Sequence, residues 1–251
     1  MKIIQITDTH LSSLKPHFQE NWKPLVQWID SMDPDLIVHT GDLTVDGADF
    51  EEDLIHGRKM LRDLRFPTLC VPGNHDIGDL PRGKQPVDAE RLSRWRQIIG
   101  PDRWAHDFGD WRLIGLNSLI IGSGSSEESD QVEWLEGALR TRAERRVLVF
   151  KHKPLFVEDP EEGETGYWGC VPSRGVGCSR SLPRMGWNLS PAATCTVRGS
   201  SMALRSAASG DHPRASSSAR WSTCPSGMPS WALPCTTLGQ RSRAPSSPWM
   251  F

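Results

Sequence analysis

The chain has 251 residues, with 29 Lys plus Arg against 31 Asp plus Glu and a formal net charge of −2, a balance with no general attraction for nucleic acid or an anionic membrane surface. That average hides a divide: residues 1–170 hold 20 of the 29 basic and 30 of the 31 acidic groups, whereas the last 81 residues hold nine Arg, a single acid at Asp211 and no Lys, Glu, Ile or Tyr. The two parts balance at −10 and +8, which excludes one uniformly composed domain.

Strand and helix patterns alternate along the first part. Lys2-Ile3-Ile4-Gln5-Ile6 reads as a short β-branched strand, and Trp22, Leu25, Val26, Trp28 and Ile29 fall on helical spacing, with Pro24 tolerable in a first turn. Leu36-Ile37-Val38 is a second strand; Phe50, Leu54, Leu61 and Leu64 mark a second helix; Thr68-Leu69-Cys70-Val71 is a third strand. Leu92, Trp95 and Ile98 predict a further helix, 111–116 a fourth strand, Val132, Leu135 and Leu139 another helix, and 146–150 a fifth strand. This alternation predicts an α/β layered fold.

Beyond Trp168 the periodicity stops. Residues 169–251 are rich in Ser, Pro and Arg, and their Trp are isolated, so the chain divides into an ordered unit over 1–168 and an aperiodic tail that is either disordered or out of frame. Five of the six Cys lie at Cys170 or beyond, with no CxxC pair and no zinc-site spacing. The apolar stretch after Met1-Lys2 is too short for a secretory leader and no run approaches a membrane-crossing length, so a cytoplasmic chain without a membrane partner is expected.

The chemistry-bearing residues follow the strands. The first strand ends at Asp8-Thr9-His10, the second at Thr40-Gly41-Asp42, the third at Gly73-Asn74-His75-Asp76 and the fifth at His152. Ligands of open α/β sheets collect beyond the carboxyl ends of strands, so Asp8, Asp42 and Asn74 would supply oxygen and His10, His75 and His152 imidazole to one place. Such a mixed set suits Mn, Fe or Zn better than an all-oxygen magnesium site. Each motif alone is weak, because Asp, Asn, Gly and His are ordinary turn residues; four in order, each after a predicted strand, are far more specific. His17, His56 and His106 match no such position and read as surface groups, and His39, inside a strand, as a hydrogen-bonded core residue.

Asp8-x-His10, Gly41-Asp42, Gly73-Asn74-His75-Asp76 and Lys151-His152-Lys153-Pro154 resemble the successive motifs of the calcineurin-like metallophosphoesterases, over about two thirds of the chain. The resemblance implies a four-layer αββα sandwich, incomplete or aberrant in its C-terminal part. It also implies two divalent metal ions: Asp8 and His10 on the first, Asp42 bridging, Asn74 and His152 on the second. His75 would be the catalytic histidine that touches the phosphate, a bridging hydroxide the nucleophile, and Asp76 the residue that orients the loop. Leu43-Thr44 after Asp42 and Asp76 after His75 stand in place of the Asp-Arg-Gly and Glu of the protein phosphatases, and Asp8-Thr9-His10-Leu11 with Thr40-Gly41-Asp42-Leu43-Thr44 is similar to the class III cyclic-nucleotide phosphodiesterase branch. The implied substrate is a small phosphodiester, a 3′,5′-cyclic nucleotide or a glycerophosphodiester, with no nucleic-acid polymer as partner. Oligomeric state is not readable.

One family motif, Gly-His-x-His, is missing: after His152 the only histidine is His212, in Asp211-His212-Pro213. Back-translating residues 185–196 with each codon begun at the third base of its predecessor forces Gly from Met185-Gly186 and Glu from Trp187-Asn188. It permits Gly from Ala192-Ala193, His from Ala193-Thr194, and only His or Tyr from Cys195-Thr196. The shifted segment can read Gly-Val-Glu-Leu-Val-Ala-Ser-Gly-His-Leu-His, a buried strand followed by the absent motif, which favours a frameshift near Gly169-Cys170. A non-catalytic metal-binding remnant is the competing reading.

Overall fold

A computed structural model describes residues 2–79, 85–154 and 166–170 with their side chains, and residues 187–195, 201–206, 220–223 and 236–239 by backbone. Two five-stranded sheets form its centre. The first has the order β3-β2-β1-β10-β9, built from β1 (Lys2–Ile6), β2 (Leu36–His39), β3 (Thr68–Cys70), β9 (Arg220–Thr223) and β10 (Thr236–Gly239); the second has the order β4-β5-β6-β8-β7, from β4 (Trp104–Phe108), β5 (Trp111–Gly115), β6 (Arg146–Phe150), β7 (Trp187–Cys195) and β8 (Ser201–Ser206). β1, β2 and β3 are parallel, as are β5 and β6, whereas β4, β7, β8, β9 and β10 pair antiparallel with their neighbours.

Strand alternation distributes the apolar side chains between layers. Ile4 and Ile6 of β1 and Ile37 of β2 pack into one core with Leu25 and Ile29 of α1 (Trp22–Met32), Leu54 and Leu61 of α2 (Glu51–Leu61) and Leu92 and Trp95 of α4 (Ala89–Ile98). Their neighbours Ile3, Leu36 and Val38 face the other way, into a core shared with Trp111 and Leu113 of β5 and Leu148 and Phe150 of β6. Ile114, Val147 and Val149 complete the division by packing against Leu135 and Leu139 of α5 (Ser126–Arg140). The order of layers is therefore helix, sheet, sheet, helix, as the sequence motifs imply.

Local chemistry sets the ends of these helices. Asp33 adopts φ 46° after α1, closing it with a left-handed residue. Glu51, Glu52 and Asp53 occupy the first turn of α2 and Arg58 and Lys59 its last, each charge opposing the helix dipole at its end. The Asp88 and Ser125 side chains accept from the Arg91 and Glu128 amides and cap α4 and α5.

The five strands expected from the sequence are present at those places. β4 is additional: it is an edge strand whose residues Ala105, His106 and Asp107 are all exposed, so it carries no alternating apolar signal. Asn74–Ile77, just beyond the third strand, forms the single-turn helix α3. β7 to β10 come from the region without periodicity. β10 hydrogen-bonds along β1 and β8 along β6, so both sheets take their remaining strands from the tail.

Phe150 is 1% exposed between the sheets, with its ring centroid 6.1 Å from that of Trp104, and it stands two residues before His152. Phe150→Ala should destabilise the fold by about 3–5 kcal/mol, whereas Phe50→Ala, at a residue 46% exposed, should change it by less than about 0.5 kcal/mol. Denaturant unfolding of both variants measures this, and equal effects would contradict the layer assignment.

Candidate metal centre

Four loops leave the carboxyl ends of β1, β2, β3 and β6 and converge. The first two continue to pair beyond their strands: the Asp8, His10 and Leu11 amides donate to the Gly41, Asp42 and Leu43 carbonyls at 2.9, 3.0 and 2.8 Å. These bonds hold Asp8, His10 and Asp42 at φ 55°, 46° and 50°, in left-handed backbone that side chains rarely adopt. The third loop approaches so closely that only glycine fits on either side. A Cβ on Gly73 would collide with the Asp42 amide nitrogen and carboxylate, and one on Gly41, at φ 102°, would lie 2.6 Å from the Gly73 nitrogen.

Asp76 fastens this contact. Its buried carboxylate accepts from the Gly73 and Leu43 amides at 2.9 and 3.1 Å and from the Thr44 amide and hydroxyl at 2.9 and 2.8 Å. Burial, and next the charge of Asp42, push its pKa up to about 6 against the pull of these donors. These bonds tie the loop after β3 to the loop after β2.

Asp42 lies at the middle of the cluster. Its Oδ1 is 3.5 Å from His152 Nε2 and accepts from the His75 amide at 2.9 Å, and its Oδ2 is 4.0 Å from His10 Nε2. Ligand atoms of His10, Asp42 and His75 lie within 4.8 Å of one another, as do those of Asp8, Asp42 and His152. Asp8 therefore groups with His152 as well as lying 3.9 Å from His10. Asn74 joins through its amide oxygen, 3.2 Å from His152 Nε2. All six residues singled out in the sequence are brought together.

The donor set fits divalent cations. His152 Nδ1 is 3.0 Å from the Thr40 carbonyl and His75 Nδ1 2.6 Å from that of Val45. Each Nδ1 therefore carries the proton, which in the neutral ring leaves the Nε2 lone pair toward the cluster. His152 Nε2 and Asn74 Oδ1 then meet as two acceptors, an arrangement that needs a proton or a cation between them. Burial raises the pKa of Asp8, and the nearby Asp42 charge adds to it, while burial lowers that of His10. A cation placed among these groups would offset the penalty on the Asp8 carboxylate and would meet His10 in the neutral form that ligates.

His39 supports the rim without joining it. Fully buried, its Nδ1 accepts from the Gly41 amide at 3.2 Å and its Nε2 lies 2.9 Å from Thr9 Oγ1, which donates to the Leu43 carbonyl. Burial pushes its pKa down to about 3, and the neighbouring His152 acts in the same direction. His17 and His106 are exposed and His56 bonds Gln19 away from the cluster. Sequence reasoning missed Tyr167, whose hydroxyl accepts from Asn74 Nδ2 at 3.0 Å. It is the only tyrosine in the chain, but it sits in an irregular segment with no motif spacing to single it out.

The sequence model of the calcineurin-like phosphoesterase family matches residues 1–180. Among curated proteins, the chain is 31% identical over 165 residues to a 3′,5′-cyclic adenosine monophosphate phosphodiesterase of Escherichia coli, covering 62% of this chain and 56% of that protein. It is 32% identical over 166 residues to a probable glycerophosphodiester phosphodiesterase of Arcobacter nitrofigilis, covering 61% and 57%. The chain thus spans little more than half the length of these relatives. Among solved structures, a purple acid phosphatase from yellow lupin seeds superposes with a TM-score of 0.52 at 14% identity, over 72% of this chain and 35% of that one, a likeness of fold. No helix among the described residues is long and apolar enough to cross a membrane.

The buried His39 makes stability depend on pH. Folded, it titrates near 3; unfolded, near 6.5. Between those values the unfolded chain holds the extra proton, so this contribution is complete above pH 6.5 and is lost as pH falls toward 3, by about 1.4 kcal/mol per unit. Asp76 acts in the opposite sense between 3.8 and about 6, but equally in a His39→Gln variant. The stability advantage of the native chain over His39→Gln should narrow by about that slope between pH 6 and 4 in urea unfolding. A constant gap would show that the imidazole is not held neutral.

Proposed function

The chain belongs to the calcineurin-like phosphoesterase family, and we propose that it is built as a metal-dependent hydrolase of small phosphodiesters, with a 3′,5′-cyclic nucleotide as substrate. The observation that supports this most is the Asp42 carboxylate, which turns one oxygen toward His10 and the other toward His152. A carboxylate so placed can serve two ions at once, with Asp8 and His10 on one side and Asn74 and His152 on the other. Two bound divalent ions, Mn, Fe or Zn by their nitrogen and oxygen donors, supply acidified water and charge neutralisation at the phosphate.

The protein's own groups do the rest. His75 is anchored through Nδ1 to the Val45 carbonyl, and its ring meets that of His10 edge-on at 4.7 Å. Protonated, it presents Nε2–H toward the cluster, where it can bond a phosphoryl oxygen and give a proton to the leaving alkoxide. The relatives that act on cyclic adenosine monophosphate and on glycerophosphodiesters are matched at nearly equal identity, 31% and 32%, so a glycerophosphodiester is the second reading.

In this chain the cluster lacks the two imidazoles of Gly-His-x-His, so we read it as an impaired form whose tail, 169–251, is out of frame. The backbone register supports this. Cys195 pairs with Ser201, and Ser201 with Phe150, so the end of β7 lies in the row from which β6 runs on to His152, about 10 Å away at ordinary strand spacing. Expressed together, a chain with the shifted-frame tail should bind more metal and hydrolyse cyclic nucleotide faster than the present one; equal values would sink the frame argument.

Metal retention should follow the cluster and not the tail cysteines. Asp42→Ala should strip the most metal and Cys195→Ser none, as read by metal content after dialysis; the reverse order would overturn the site. In the restored-frame chain, His75→Ala should lower turnover of cyclic nucleotide by about 10²–10⁴-fold with little loss of metal. A loss of metal as large as that of Asn74→Ala would make His75 a ligand instead. Turnover of a glycerophosphodiester in preference to cyclic nucleotide would establish the second reading.

A further inference from the structure

We propose that Tyr167 is a positioning residue of the metal centre, fixing which end of the Asn74 side chain faces the ions. This rests on the metal-site reading above. A carboxamide has one end that can ligate a cation and one that cannot, and nothing in its own shape chooses between them. Asn74 gives Nδ2 to Tyr167 Oη at 3.0 Å and turns Oδ1 to His152 Nε2 at 3.2 Å. Rotating the amide by half a turn would put its NH₂ where the ion belongs. The Asn74 side chain is therefore useful to a cation only in the orientation in which its NH₂ meets the phenol.

The tyrosine is itself held in place. It belongs to a short 3-10 turn, Gly166–Trp168, entered through Gly166 at φ 61°. The ammonium of Lys153 lies 5.0 Å above its ring, while that ammonium is fixed by two bonds of 2.7 and 2.6 Å to the Asp79 carboxylate. Trp168 meets the ring edge-on at 5.3 Å. Lys153 also follows His152 directly, and its amide donates to Ser118 Oγ at 2.9 Å. The residue that holds the amide and the histidine that shares the ion with it are thus carried by neighbouring groups, which meet the two ends of the Asn74 side chain, the hydroxyl at Nδ2 and the imidazole at Oδ1.

Because Tyr167 is the sole tyrosine, the full chain labelled with 3-fluorotyrosine gives one ¹⁹F resonance, which reports on this hydroxyl. Adding Zn²⁺, which is diamagnetic, should move that resonance with the same midpoint as zinc binding measured by calorimetry, and Asn74→Ala should abolish the movement. Tyr167→Phe, which keeps the ring over Lys153, should weaken zinc binding about 10-fold, within the range for groups that orient ligands. In an Asn74→Asp background, where both ends of the side chain are oxygen, the same change should not weaken it. Zinc binding without any ¹⁹F shift, or equal weakening in both backgrounds, would overturn the role of Tyr167 and leave the metal site standing. A native chain that binds no zinc would overturn the metal-site reading and this inference with it.

Discussion

Two backbones that must almost touch govern the rim of this protein. The loop after β2 and the loop after β3 meet at Gly41 and Gly73, with no room for a methyl group on either. From that contact the His75 amide reaches the Asp42 carboxylate, and Asp76 receives amides from both loops. A carboxylate held by three amides and the Thr44 hydroxyl is rigid, and it is expensive to bury unless all of these bonds are made. The geometry of Asp42, and through it the spacing of both ligand groups, follows from how closely these two segments are fastened.

The same rim stores conformational strain. Five non-glycine residues among the described ones have positive φ, and three of them are Asp8, His10 and Asp42. Each such residue costs on the order of 1 kcal/mol or more, so the extended pairing of the β1 and β2 loops and the His39–Thr9–Leu43 chain of bonds must over-determine their conformation. Glycine would remove the strain but also the ligand. The carboxylates and imidazole occupy backbone positions chosen for direction and not for comfort.

How much of this was legible depends on what each residue answers to. The layers were readable because Ile3 and Ile4, or Leu148 and Val149, alternate between two different cores, and alternation survives in the sequence. The six cluster residues were readable because each lies within two to five residues of a strand's carboxyl end, so strand ends place them without knowledge of the loops. β4 was not, since an edge strand with three exposed residues in a row has no apolar face to announce it. Nor was Tyr167, which acts through a partner 93 positions away, nor the Asp79–Lys153 pair that steadies it. The tail strands carry no pattern at all; they are placed by the hydrogen-bonding edges of β1 and β6, which any extended backbone can satisfy.

The pairing of β1 with β10 joins Lys2 to Gly239, nearly the whole length of the chain. Contacts of such sequence separation close late and slow the search for the native topology. During synthesis the first strand can gain β2 early, but its other edge stays open until β10 emerges, on the order of ten seconds or more at ordinary elongation rates. A nascent chain of this design exposes a β-branched edge for that whole interval, an opening for wrong strand pairings that a fold whose first strand is finished by its nearest neighbours does not leave.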